Sequence, residues 1–110
     1  AIRAVAHSRS RPWLVVAGSD DPGAYARLAR SLGMDDRVVF AGLRDDIERL
    51  YAAADLLIAP TRYDAFSNAT AEALAMGLPV ITTEANGAGE LVALTDPGRD
   101  RAQQAVVGRI

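Results

Sequence analysis

The sequence predicts an α/β protein: a Rossmann-like, three-layer α/β/α arrangement around a parallel sheet. Two observations predict it. Four short, continuously apolar runs recur along the chain, Trp13-Leu14-Val15-Val16-Ala17, Val38-Val39-Phe40-Ala41, Leu56-Leu57-Ile58-Ala59 and Pro79-Val80-Ile81-Thr82. Runs of this kind suit strands covered on both faces, as in parallel sheets. Between them lie segments of helical spacing with recognisable ends, and alternating strand and helix is the order of crossover units.

Taken in order, the opening from Ala1 to Ser8 reads as a helix already under way, and there is no initiating Met, so residues upstream are expected. After the first apolar run, Gly18-Ser19-Asp20-Asp21 reads as a turn, because the Gly-x-Gly-x-x-Gly fingerprint of dinucleotide sites is not there. Pro22 opens a helix with Tyr25, Leu28, Ala29 and Leu32 along one face, and Gly33 supplies a left-handed stop. Asp45 is the expected cap of the next helix, with Ile47, Leu50, Tyr51 and Ala54 facing inward. A third helix is expected from Asn68 to Met76, capped by Ser67 and ended by Gly77 ahead of Pro79. Trp13, Met34 and Met76 read as core or edge packing, and His7 as a helix residue outside the sheet. From Asp96 the pattern weakens: Asp96-Pro97 either starts a last helix through Gln104 and Val107 or begins a frayed tail. The expected organisation is one partial domain over residues 1–110, with its core at 12–92 and an undetermined tail at 96–110.

Composition narrows the function. The chain has 110 residues, half of them hydrophobic, and a formal charge of -2, with its basic residues scattered. That distribution lacks the positive stripe that nucleic acid requires, so no nucleic-acid partner is expected. Cysteine is absent and His7 is the sole imidazole, which disfavours a metal site. No apolar run approaches the roughly 18 residues of a bilayer span, and the start lacks the layout of a signal peptide, so a cytoplasmic location is expected. All 12 basic residues are Arg and Ala is abundant, a bias expected of a GC-rich bacterial genome.

Ligands of doubly wound sheets bind beyond the carboxyl ends of the strands. Of the loops there, the richest is Pro60-Thr61-Arg62-Tyr63-Asp64-Ala65-Phe66-Ser67-Asn68, which runs into the helix carrying Glu72. Unpaired amides and the helix dipole near Ser67, Asn68 and Ala69 form a seat for phosphate. Glu72, about one turn further in, is suited to accept hydrogen bonds from a ribose diol, and Asp64 from hydroxyls beyond the far phosphate. Phosphate between two hydroxyl-accepting carboxylates describes a nucleotide-sugar. Taken singly, each carboxylate has an ordinary alternative: Asp64 binding local amides, Glu72 as a solvated helix residue. Arg44, after the second run, either borders the base or is a surface charge. Glu90 serves the site or binds nearby amides. Arg62 and Tyr63 flank Asp64 and either touch donor or acceptor or face solvent, the solvated loop face being the expected fate of Arg62.

The segment from Asp64 through Glu72 to Gly77-Leu78-Pro79-Val80-Ile81 is similar to the hallmark of the family 4 retaining glycosyltransferases: an acidic residue, seven others and a Glu, then a helix end and Gly-x-Pro-Val-Ile. Asn86-Gly87-Ala88-Gly89-Glu90 matches that family's Gly-rich turn and acidic residue, and residues 12 to 92 follow the family order. The resemblance implies the C-terminal, donor-binding domain of a GT-B fold, group 1 type. It implies transfer of a sugar, with retention, from a nucleotide diphosphate sugar such as UDP-glucose to an acceptor hydroxyl, with neither cofactor nor metal. By position it assigns Glu72 to the ribose, Asp64 to the donor sugar and its anomeric carbon, the amides of Phe66 and Ser67 to the sugar, and those of Asn68 and Ala69 to the diphosphate.

The wording Tyr63 to Asn68 resembles bacterial cell-envelope enzymes, such as those of lipopolysaccharide synthesis. The implied acceptor is a glycan or lipid-linked glycan held by an N-terminal domain expected to be missing, and the resemblance allows a peripheral place for the full enzyme at the inner face of the membrane. The Arg and Lys pair that stabilises the leaving diphosphate in this family is expected upstream, and this chain has no Lys. The chain alone is therefore expected to be inactive. Two departures stand out. Asp64 replaces a commoner Glu, moving the carboxylate by about 1.5 Å, and Ser67 replaces a frequent Gly, closing part of the backbone approach. The alternatives are a vestigial nucleotide-binding or interaction module, and a GT-B sugar-nucleotide epimerase. Against the epimerase stands the lack of an ionisable relay beyond Asp64 and Glu72.

Overall fold

A computed structural model describes residues 1–93. The expected helix through Gln104 and Val107 and the tail from 96 lie outside the described residues. The chain divides into two compact units, the first from Ala1 to Asp45 and the second from Asp46 onward.

The first unit runs α1 (Ile2–Ala6), β1 (Leu14–Ala17), α2 (Gly23–Ser31), β2 (Val38–Gly42). β1 and β2 pair in parallel from Leu14 opposite Val38, with a register shift after Val16 that sets Ala17 against Gly42. The opening helix is shorter than expected: His7 ends it as C-cap, its Nδ1 2.7 Å from the Arg3 carbonyl oxygen. Ile2 and Val5 are buried and α1 packs on α2. α2 ends as its sequence dictates. Gly33 sits at φ +65, its amide donates to Arg30 and that of Met34 to Ala29, which satisfies the last carbonyls of the helix. Ala29 and Met34 are buried, whereas Tyr25, expected on the inner face, is half exposed. Coverage of β1 on both faces is not found either. Its burial alternates, and Val15 stays 49% exposed. An unbroken apolar run encodes the strand but not what packs on its second face. Trp13 is also exposed, with the Arg37 guanidinium 5.1 Å from its ring centroid.

The second unit runs α3 (Ile47–Ala53), β3 (Leu57–Ala59), α4 (Asn68–Ala75), β4 (Val80–Thr82), α5 (Gly89–Ala93). β3 and β4 pair in parallel, Leu57 opposite Val80 and Ala59 opposite Thr82, with α4 as the crossover between them. The core consists of Tyr51, Ala73, Leu78 and Val80, with Ile47, Leu57 and Leu74 packed around it. Asp45 does not cap α3. Asp46 occupies that position and makes no side-chain cap bond, its carboxylate lying 3.8 Å from Arg49 instead. Ala54 is exposed rather than inward, because the chain is already extended there. The α4 expectations hold closely. Ser67 Oγ accepts from the Thr70 amide at 3.3 Å, and Gly77 at φ +74 closes the helix with the amide of Leu78 bonded to Ala73. Met76 just before that turn is exposed. Among the described residues no helix is long and apolar enough to cross a membrane.

Candidate functional site

The site grows from the carboxyl ends of β3 and β4. Beyond the strands the two following loops continue to pair. Thr82 Oγ1 donates to the Ala59 carbonyl at 2.9 Å and Thr83 Oγ1 to that of Thr61 at 2.6 Å. An isolated parallel bridge then joins Asp64 and Asn86, with the Asp64 amide donating to Ala85 at 3.1 Å and the Gly87 amide to Asp64 at 2.8 Å. These rungs hold the Asp64 loop against the Gly-rich turn, immediately before α4.

Asn86 is the residue that the sequence did not single out. It is 2% exposed, and its side chain uses its full hydrogen-bonding capacity. Nδ2 donates to Thr70 Oγ1 at 3.0 Å and to Thr82 Oγ1 at 2.8 Å, while Oδ1 accepts from the amides of Ala88 at 3.0 Å and Ser67 at 3.4 Å. One side chain thus ties together the N-terminus of α4, the end of β4 and the turn into α5. The clue available in the sequence was three polar residues, Thr70, Thr82 and Asn86, at positions otherwise small and apolar. Nothing in their spacing says that they meet.

Asp64 is partly buried, and its Oδ1 accepts from the Phe66 amide at 3.1 Å, an Asx-turn that shapes the loop. Oδ2 has no protein partner among the described residues. The local-amide role and an outward-facing oxygen therefore coexist in one carboxylate. The four amides singled out in the sequence divide accordingly. Those of Phe66 and Ser67 are engaged by Asp64 and Asn86, while Asn68 and Ala69, the first residues of α4, have amides with no intrahelical partner. Tyr63 and Phe66 are exposed aromatics on the same loop. Glu72 is exposed on α4, and its Oε2 accepts from the Tyr51 hydroxyl at 3.1 Å. Glu90 is exposed in the first turn of α5. Arg44 is exposed in the loop after β2, within the first unit.

Burial pushes the Tyr51 phenol up from 10.0 to about 12, helped by its hydrogen bond to Glu72 and by that group's charge. The folded state therefore holds this proton more tightly than the unfolded state does. The associated stability is present below pH 10 and is lost as pH rises toward about 12. Urea titrations across that window should show stability falling by up to about 1.4 kcal/mol per pH unit. Tyr51→Phe should flatten the slope. The chain has no Lys to titrate in the same range.

The family model of the group 1 glycosyl transferases matches residues 1–106. The chain is 39% identical over 85 residues to the lipopolysaccharide glucosyltransferase WaaG of Escherichia coli K12, covering 77% of this chain and 23% of that protein. It is also 39% identical over 66 residues to the lipopolysaccharide core biosynthesis mannosyltransferase LpsB of Rhizobium meliloti, covering 60% of this chain and 18% of LpsB. A crystal structure of WaaG matches with a TM-score of 0.79 at 38% identity, over 84% of this chain and 26% of that one. Anabaena HepE in complex with UDP-glucose matches with a TM-score of 0.76 at 32% identity, over 83% of this chain and 27% of that one. The chain thus spans about a quarter of the length of these relatives, between 18% and 27%. With a parallel-sheet, Rossmann-like α/β architecture that matches GT-B structures, the chain belongs to the group 1 glycosyl transferases.

Proposed function

We propose that this chain is the donor-binding part of a retaining glycosyltransferase acting in the cytoplasm on bacterial cell-envelope glycans, with UDP-glucose or a close analogue as donor. The observation that carries the reading is the build of α4. Its N-terminus is pinned by Asn86 with the amides of Asn68 and Ala69 left for phosphate, the Asp64 loop leads directly into it, and Glu72 stands one turn further in. Asn68 and Ala69 receive the diphosphate and, with the helix dipole, oppose the negative charge that grows on it as the sugar leaves. Glu72 accepts from the ribose hydroxyls. Asp64 directs its unpartnered oxygen to the donor sugar and orients the anomeric carbon, while Phe66 and Ser67 line the sugar side. No metal or cofactor enters this scheme, and the acceptor is held outside this chain.

Titration with UDP, GDP, ADP and their glucose or mannose derivatives tests the reading. Binding in the millimolar range or tighter is expected for the uridine nucleotides, weakened about tenfold or more by Glu72→Ala. Absence of binding to all of them overturns it. The 110 residues alone should show no nucleotide-sugar turnover above the Glu72→Ala background. Turnover clearly above that background would overturn the placing of the acceptor and leaving-group machinery elsewhere.

A further inference from the structure

We propose that Tyr51 is a positioning residue for Glu72: its hydroxyl holds one carboxylate oxygen, so that the other is presented to the ribose diol of a nucleotide. The proposal rests on the reading of Glu72 given above. Tyr51 comes from α3 and Glu72 from α4, 21 positions apart, yet the phenol donates to Glu72 Oε2 at 3.1 Å. The two ends of that bond differ in freedom. The Tyr51 ring is 8% exposed in the cluster with Ala73, Leu78 and Val80, so the packed core fixes the hydroxyl. Glu72 is exposed, and as an unrestrained helix residue it would sample several rotamers.

A buried donor on a fixed ring removes that freedom before any ligand arrives, which improves binding by preorganisation. It does so through one oxygen only. Oε1 has no protein partner among the described residues, and Oε2 retains acceptor capacity beyond the phenol. A vicinal diol offers two adjacent O–H donors and matches such a carboxylate. Burial and the neighbouring carboxylate also keep the phenol protonated well above neutral pH, so it remains a donor wherever the protein works.

The competing reading is that Glu72 merely gives a core tyrosine a polar partner. Calorimetric titration of the chain, of Tyr51→Phe and of Glu72→Gln with UDP and with 2′,3′-dideoxy-UDP separates the two, because only UDP carries the diol. Tyr51→Phe keeps the ring in the core, and its urea midpoint checks the fold. The expected result is that Tyr51→Phe weakens UDP about fivefold and leaves dideoxy-UDP unchanged. Glu72→Gln should weaken UDP at least as much, and adding Tyr51→Phe to it should have no further effect. If Glu72→Gln lowers the preference for UDP and Tyr51→Phe does not, the positioning role is overturned while the assignment of Glu72 stands. Equal weakening of both nucleotides by Tyr51→Phe marks a structural role and also overturns it. If the unmodified chain binds both nucleotides equally, or neither, the assignment of Glu72 falls first and the proposal with it.

Discussion

Gly87→Ala is expected to abolish nucleotide binding and to lower stability by about 3 kcal/mol. A Cβ at that position would lie 2.8 Å from the Ala65 carbonyl carbon and closer still to its oxygen, and both belong to backbone rather than to a side chain that could turn aside. The only relief is to part the two loops. That breaks the Gly87 amide bond to Asp64 and with it the bridge that holds the Asp64 loop before α4. Gly77→Ala in the same unit is the comparison. Gly77 has φ +74 but open space around its Cβ position, so its cost is the left-handed backbone alone, about 1 kcal/mol. Urea denaturation and nucleotide titration of both variants would show the contrast. A Gly87→Ala chain that binds nucleotide normally with an unshifted midpoint would mean that the loops are not tied where the bridge places them.

Asn86→Ala should lower stability by a comparable amount, about 3 kcal/mol, because it takes partners from buried groups rather than merely deleting one favourable bond. Thr70 and Thr82, both fully buried, each lose the hydrogen bond that Nδ2 donates, and the Ser67 and Ala88 amides lose their acceptor. As it stands, no buried side-chain polar atom among the described residues lacks a partner. Asn86→Asp separates the contributions. It keeps the shape and the acceptors, drops both donors and places a carboxylate where burial disfavours charge. Its stability should fall with rising pH as that carboxylate ionises, whereas Asn86→Ala should show no such added slope. If Asn86→Ala unfolds at the same urea concentration as the unmodified chain, the network is not what orders the start of α4.

Both residues lie in the Asn86 to Glu90 run, whose resemblance to a Gly-rich turn was visible in the sequence, yet what each does was not. Most of the local signals were read correctly. The apolar runs became strands, Ser67 caps α4, and Gly33 and Gly77 close their helices with positive φ. One local choice, between two adjacent cap candidates, was misread, and signals that need a distant partner were misread or silent. Asp45 resembled a cap as much as Asp46 did, and the outcome is a residue at the cap position whose side chain makes no cap bond. Val15 was expected to be covered and is 49% exposed, because hydrophobicity states a preference without supplying the surface that satisfies it.

The sequence by itself determined the order and type of the elements as far as β4, though not the helix α5 that follows the Gly-rich turn, and, through the spacing of Asp64, Glu72 and Gly77 to Ile81, the resemblance to glycosyltransferases that the family match supports. Periodicity, capping and turn conformation act over a few residues, so they can be read from a string. Only the tertiary structure decided how Asp64 is shared between its own loop and the outside, which amides of α4 remain open, and which groups hold the site in shape. Asn86 meets Thr70 across 16 positions and Tyr51 meets Glu72 across 21. Such bonds form because the core brings α3, α4 and β4 together, and a buried donor or acceptor must then find whatever partner the packing leaves within reach.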